Sequence, residues 1–170
     1  MLPPRSLSRI SLRPLQINDI GAIYTMRSDH RNNQYLDRPP CHTKEEAADF
    51  INSILSKTEN SALKYWVISL KDTDTAIGTI CLFNHEEISQ SCEIGFELLY
   101  DFQGQGYMFE SIQAVIASIK ATSELKTIHA RTHSLNNRSI SLLKKFGFLE
   151  MIQESNNEEN LLFFTLDLSN

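Results

Sequence analysis

Long apolar runs are missing from this chain of 170 residues. The longest are four, as in Leu161-Leu162-Phe163-Phe164, against the ~20 that a membrane helix needs. No stretch near the start has the apolar block of a secretory leader, so no membrane partner and a cytoplasmic location are expected. Cysteine is scarce: Cys41, Cys81 and Cys92 are odd in number and form no CxxC pair. A disulfide framework or zinc cluster is thereby excluded, and reduced core thiols are expected. The five histidines belong to no recognisable ligand motif, so no metal is expected.

Positive charge is also in deficit. Sixteen Lys and Arg stand against 21 Asp and Glu, a formal charge of -5, which argues against nucleic acid as a partner. The deficit is uneven. Residues 1–85 carry 10 basic and 9 acidic side chains, residues 86–170 carry 6 and 12, and a cationic substrate is favoured by the second half. There is no repeat, low-complexity tract or Pro/Gly/Ser linker. A single domain over residues 1–170 is therefore expected, as a monomer or homodimer. With 41% apolar residues it can build a core without metal or disulfide.

The hydrophobic pattern implies both strands and helices. Ile10–Leu15 alternates apolar and polar residues as a strand does, and Asn18-Asp19 offers an N-cap for a short helix toward Arg27. Thr43-Lys44-Glu45-Glu46 is a capping box, and Ala47, Phe50, Ile51, Ile54 and Leu55 follow as the buried stripe of a helix. The segments 64–70, 76–83 and 92–99 read as an antiparallel meander. Met108, Ile112, Val115, Ile116 and Ile119 recur at helical spacing before a strand at Thr127–Thr132. A helix over 136–146 ends at Gly147, a natural C′ residue. Phe148–Gln153 and Leu161–Leu168 read as a hairpin around the loop Glu154–Asn160. Strands mixed with helices in this order predict an α+β (mixed α/β) layered fold with a βαβ crossover near its middle.

One segment carries a chemical signal. The strand Glu93–Leu99 runs into Gln103-Gly104-Gln105-Gly106-Tyr107-Met108, a glycine turn that opens a helix. The free N–H groups of a helix start and its dipole favour a phosphate there, and glycine lacks the Cβ that would hold a diphosphate off the backbone. Neither GxGxxG nor GxxxxGK[ST] is present, so the dinucleotide and P-loop readings weaken. The bland alternative is an ordinary strand-to-helix turn.

That run resembles the acyl-CoA pyrophosphate loop of the GNAT N-acetyltransferase superfamily, whose pattern is Arg/Gln-x-x-Gly-x-Gly/Ala. Met108 departs from the pattern at its last position. Thirty residues on, Asn136-Asn137-Arg138-Ser139 through Leu142-Leu143 to Gly147-Phe148 resembles the family's Asn-x-x-Ser-x-x-Leu-x-x-x-x-Gly-Phe helix. With Ile10–Leu15 similar to the opening strand, the whole chain resembles the RimJ/RimL-like (ribosomal-protein alanine acetyltransferase) branch. The resemblance implies a mixed sheet of six or seven strands flanked by helices, acetyl-CoA as donor, and an amine-bearing acceptor. It places Phe96 and Leu98, the loop Gln103, Gly104, Gln105, Gly106, Tyr107 and Met108, and Asn136 against the cofactor.

Acetyl transfer to an amine requires a neutral nucleophile. An α-amino group has a pKa near 8 and lysine near 10.4, so a carboxylate, directly or through water, must take a proton. Glu93 and Glu97 share one face of their strand, opposite Ile94, Phe96 and Leu98. The resemblance sets that strand beside the thioester, which makes both glutamates candidates for base or amine recognition. Solvated strand carboxylates are the plainer reading. Many members carry Tyr at the position of Leu143, and in its place the resemblance offers Ser139 to stabilise the departing thiolate. As ordinary structural residues, Asn136 and Ser139 would serve as an N-cap and its turn. The expected function is transfer of acetyl from acetyl-CoA to a peptide N-terminus or small amine by direct attack. The alternative is a non-catalytic acyl-CoA-binding regulatory module that keeps the loop and lacks turnover.

Overall fold

Along β2 (Lys64–Leu70) successive side chains point to opposite faces. Tyr65 and Val67 enter one apolar core, and Trp66 and Ile68 enter another. A sheet that is apolar on both faces must be covered on both. The computed structural model describes residues 7–59, 63–122, 124–152 and 160–169. Its remaining strands are β1 (Ile10–Pro14), β3 (Ala76–Glu86), β4 (Ser91–Leu98), β5 (Thr127–His133), β6 (Leu149–Glu150) and β7 (Leu161–Asp167). They form one seven-stranded sheet in the order β1-β2-β3-β4-β5-β7-β6.

The helices supply the cover. Ile23 and Met26 of α1 (Ile20–Ser28) and Ala47, Ile51 and Ile54 of α3 (Lys44–Glu59) pack on one face, after the four-residue α2 (His30–Asn33) between them. Met108, Ile112, Val115 and Ile119 of α4 (Tyr107–Thr122) and Leu143 of α5 (Asn137–Lys145) pack on the other. The meander of β2, β3 and β4 is antiparallel as expected, and α4 carries the chain to β5, which runs parallel to β4.

Local chemistry explains both the agreements and the departures. The Thr43 hydroxyl accepts from the Glu46 amide at 3.2 Å, but the Glu46 carboxylate accepts from the His42 amide at 2.8 Å, one residue upstream of the reciprocal bond expected of a capping box. Asp19 does not cap α1 with its side chain. Its buried carboxylate instead receives the Arg13 guanidinium at 2.7 and 2.9 Å, tying β1 to the start of α1. The pair drives the Arg13 pKa above its ordinary value. β6 is shorter than the expected strand, two residues paired with β7 at Leu149↔Thr165 and Glu150↔Phe164. Most of the loop Glu154–Asn160 lies outside the described residues.

One close approach fixes where β4 ends. A Cβ at Gly78 of β3 would overlap the Glu97 carbonyl and stand 2.5 Å from Leu98 Cδ2. Only a residue without a side chain lets β3 lie this near the last residues of β4. Gly78→Ala should therefore cost about 1–3 kcal/mol, the usual penalty of overpacking, read as a lower midpoint in urea denaturation with an unchanged m-value.

Candidate active site

β4 and β5 register at only three pairs, Ser91↔Thr127, Cys92↔Ile128 and Glu93↔His129, although the strands continue to Leu98 and His133. Beyond Glu93 they separate. The Leu99 amide donates to the Ile77 carbonyl of β3 at 2.8 Å, so by alternation the Phe96 and Leu98 amides point away from β3, into the gap. At that edge the Leu98 carbonyl accepts from the side-chain amides of Asn32 and Gln103, both at 3.1 Å. A cavity of about 730 Å³ opens there. Phe96, Leu98, Gln103, Gly104, Gly106, Met108, Asn136 and Ser139 all line it, so eight of the twelve residues singled out from sequence converge.

The loop after β4 has the geometry its glycines suggest. Gly104 and Gly106 adopt φ of +76° and +87°, a region costly for any residue with a Cβ, and deliver the chain into α4 at Tyr107. The free amides of the first turn remain for an anion. Gln103 holds the loop in place: its Nε2 donates to Leu98 and its Oε1 accepts from Arg138 Nη1 at 2.8 Å. Gln105 and Tyr107 do not line the cavity and act by support. The Gln105 side chain donates to the Asp101 carbonyl at 2.8 Å, and its own carbonyl accepts from Arg9 Nη1 at 2.9 Å. Tyr107 lies under the Arg9 guanidinium, 4.5 Å from the ring centroid. Met108 is largely buried in the core while still touching the cavity wall.

On the α5 side, Asn136 Oδ1 accepts from the Ser139 amide at 3.2 Å, a side-chain N-cap. Asn136 and Ser139 thus hold the N-terminal turn of α5 against the cavity. Leu143 is buried in the core at 1% exposure and offers no hydroxyl.

The two glutamates separate from each other. Glu97 lines a second cavity of about 540 Å³, on the α1–α3 face, where Arg38 grips both of its carboxylate oxygens at 2.7 and 3.1 Å. Phe96 is part of both cavity walls. Glu93 lines neither: it is held by Arg131 at 2.7 and 3.1 Å and by Asn84 at 3.1 Å. The acidic face expected of β4 is therefore neutralised by two arginines. Cys81 also borders the second cavity, and burial pushes its thiol up to about 12, with the charge of Glu97 adding to the effect. Burial likewise pushes Cys92 up to about 11.

Sequence reasoning missed the arginines. Arg9, just before β1, reaches the loop and Glu110, whose carboxylate also accepts from the Ser8 amide at 2.8 Å. Arg9, Arg38 and Arg138 meet their partners across 96, 59 and 35 residues, and no local spacing encodes such pairs. The converse holds for His129 and His133. Four residues apart they would share a helix face, but on β5 that spacing separates them by about 13 Å.

Two outcomes follow. Gly106→Val forces a branched side chain into φ +87° and toward Arg9 Nη2, 3.2 Å from the Cβ position. The Kd for CoA, by calorimetry, should rise at least about tenfold, the scale of 1–2 kcal/mol of backbone strain. A thiol held near 12 is about one part in 10⁴ thiolate at pH 8, so Cys81 should resist iodoacetamide in the folded protein and react after denaturation, read by mass spectrometry.

The sequence over residues 9–149 matches the family model described as the acetyltransferase (GNAT) domain. Among curated proteins, the chain is 30% identical over 139 residues to the uncharacterized N-acetyltransferase YnaD of Bacillus subtilis, covering 82% of this chain and 78% of that one. It is 28% identical over 141 residues to the uncharacterized N-acetyltransferase p20 of Bacillus licheniformis, covering 82% and 79%. Among solved structures, the RimL ribosomal L7/L12 alpha-N-protein acetyltransferase in complex with coenzyme A superposes with a TM-score of 0.82 at 19% identity over 98% of this chain and 97% of that one. A microcin C7 self-immunity acetyltransferase in complex with acetyl-CoA and AMP superposes at 0.81 and 16% identity, over 94% and 93%. With a split β4–β5 pair, a glycine loop at a helix start and a family match over most of its length, this chain belongs to the GNAT acetyltransferase family and is an acetyl-CoA-dependent N-acetyltransferase.

Proposed function

We propose that the enzyme acetylates a primary amine, a peptide N-terminus or a small molecule, by direct attack on acetyl-CoA, as in the RimJ/RimL-like branch. The observation that carries this reading is the pair of cavities that share Phe96 at the β4–β5 gap. One has the features of a donor site and the other is open to an acceptor. The pyrophosphate binds the amides of Gly104 and Gly106 at the start of α4. Arg9 and Arg138 supply positive charge beside it. The pantetheine arm follows the free edge of β4, where the Phe96 and Leu98 amides replace strand partners.

The acceptor amine enters from the Glu97 side. Arg38 fixes the Glu97 carboxylate, and each of its oxygens keeps a second lone pair, enough to accept the amine's proton directly or through a water. The neutral nitrogen then adds to the thioester carbonyl, and a backbone amide of the gap stabilises the oxyanion. Collapse forms the amide, breaks the C–S bond and releases CoA as thiolate, which a Ser139 hydrogen bond stabilises until it is protonated. The direct route is supported by Cys81. A thiol held up to about 12 carries almost no thiolate at neutral pH, so an acyl-cysteine relay has no nucleophile at this cavity.

Acetyl-CoA with a panel of peptides, polyamines and small amines, with CoA release followed by a thiol reagent, tests the reading. Turnover with an amine supports it, and no release with any of them overturns it. Glu97→Gln should lower kcat by about 10²-fold, the low end for a general base. Ser139→Ala should lower it about tenfold or more, as for a hydrogen bond to a charged group. CoA should still bind both variants by calorimetry, and unchanged kinetics would remove the corresponding assignment.

A further inference from the structure

The cavity over Glu97 is cationic in a protein whose net charge is -5. Arg27, Arg38 and Lys57 line it, and among the described residues Glu97 is the one acidic side chain on its wall. Arg38 and Glu97 cancel through their two-point contact. Lys57 is exposed at the rim. Arg27 is different: it is half-buried, its guanidinium carbon lies over the Phe50 ring, 4.0 Å from the centroid, and among the described residues no carboxylate forms an ion pair with it.

Burial and the neighbouring Arg38 charge push the Arg27 pKa down, against a smaller opposite pull from Glu97. The group therefore holds a positive charge in surroundings that disfavour it, which a counterion would relieve. The Tyr65 hydroxyl is buried on the same wall beside Thr79, without a well-formed hydrogen bond among the described residues. Phe50 covers one side of the guanidinium, and the planar fork of an arginine matches a carboxylate at two points.

Resting on the proposed amine acceptor, we infer that this cavity selects an amine that also carries a carboxylate, with Arg27 binding the carboxylate while the amine lies toward Glu97. The acceptor is an amino-acid-like amine or a peptide whose first residues are acidic. Polyamines are poor acceptors, because Arg27 and Lys57 repel them. The cationic substrate favoured by the acidic excess of residues 86–170 is thus replaced by an amphoteric one.

The test uses the full chain with acetyl-CoA and matched acceptor pairs: free amino acids against their carboxamides, and peptides with Asp or Glu at the second and third positions against Asn or Gln. Spermidine serves as a cationic control. At least one pair should show kcat/KM tenfold or more in favour of the carboxylate, and the pair that does so tells a free amine from a peptide. Arg27→Gln should bring that ratio within threefold of one, while Arg27→Lys, which keeps the charge, retains a preference. CoA binding by calorimetry verifies that each variant is folded. Equal kcat/KM in every pair, spermidine as the best acceptor, or an unchanged ratio in Arg27→Gln overturns the inference. If no amine releases CoA, the proposed function fails instead. Calorimetry of the same carboxylates and amides on the CoA-bound enzyme then decides the inference by the same tenfold criterion.

Discussion

Ser91, Cys92 and Glu93 of β4 each have a partner on β5, and Ile94 and the residues after it have none. The rest of the molecule is arranged around that early parting. Parallel strands normally exchange hydrogen bonds along their length. Here the shared ladder stops, and the amides of Phe96 and Leu98 face a gap that a ligand can complete. β3 holds the other edge of β4 through the Gly78 contact, so the outer half of β4 stays extended without help from β5. The glycine loop begins where the unpaired edge ends. α5 caps itself with Asn136 on the far side of the opening. Were the ladder to continue to Leu98, those amides would be paired with β5 and closed to a ligand.

Much of this was legible in the sequence because it is written locally. Apolar spacing in Ala47–Leu55 and Met108–Ile119 gave helices with the correct buried faces, and Gly104, Gly106 and Asn136 marked the turns that need them. The parity of Glu93 and Glu97 was also correct as geometry. What parity could not say is who faces them. Arg38 and Arg131 lie 59 and 38 residues from their partners, and the chain folds back to those contacts through packing that no window reveals. The four-residue α2 was invisible for a similar reason. Beyond the local Asp29 cap on the Arg31 amide, it depends on Asn32 reaching Leu98 and Tyr100, tertiary bonds rather than propensity.

Charge shows the same limit at larger scale. A formal balance of -5 describes the chain's average, whereas the surroundings of β4 are set by which arginines arrive there. One arginine answers each strand glutamate, and a further one, Arg27, stands against Phe50 without a carboxylate partner among the described residues. Composition by halves therefore gives the wrong sign for the cavity over Glu97.

Arg9 immediately precedes β1, an outermost strand of the sheet, and its guanidinium grips the Gln105 carbonyl and Glu110, whose carboxylate also accepts from the Ser8 amide. Outer strands are ordinarily the first part of a sheet to open. A ligand that binds only the folded loop stabilises the fold by RT ln(1 + [L]/Kd), about 2.7 kcal/mol at a hundred times Kd. Through Arg9 that stabilisation extends to the edge of the sheet. The supply of donor in the cell is thereby coupled to how often β1 frays, and so to the lifetime of the protein as well as to its rate.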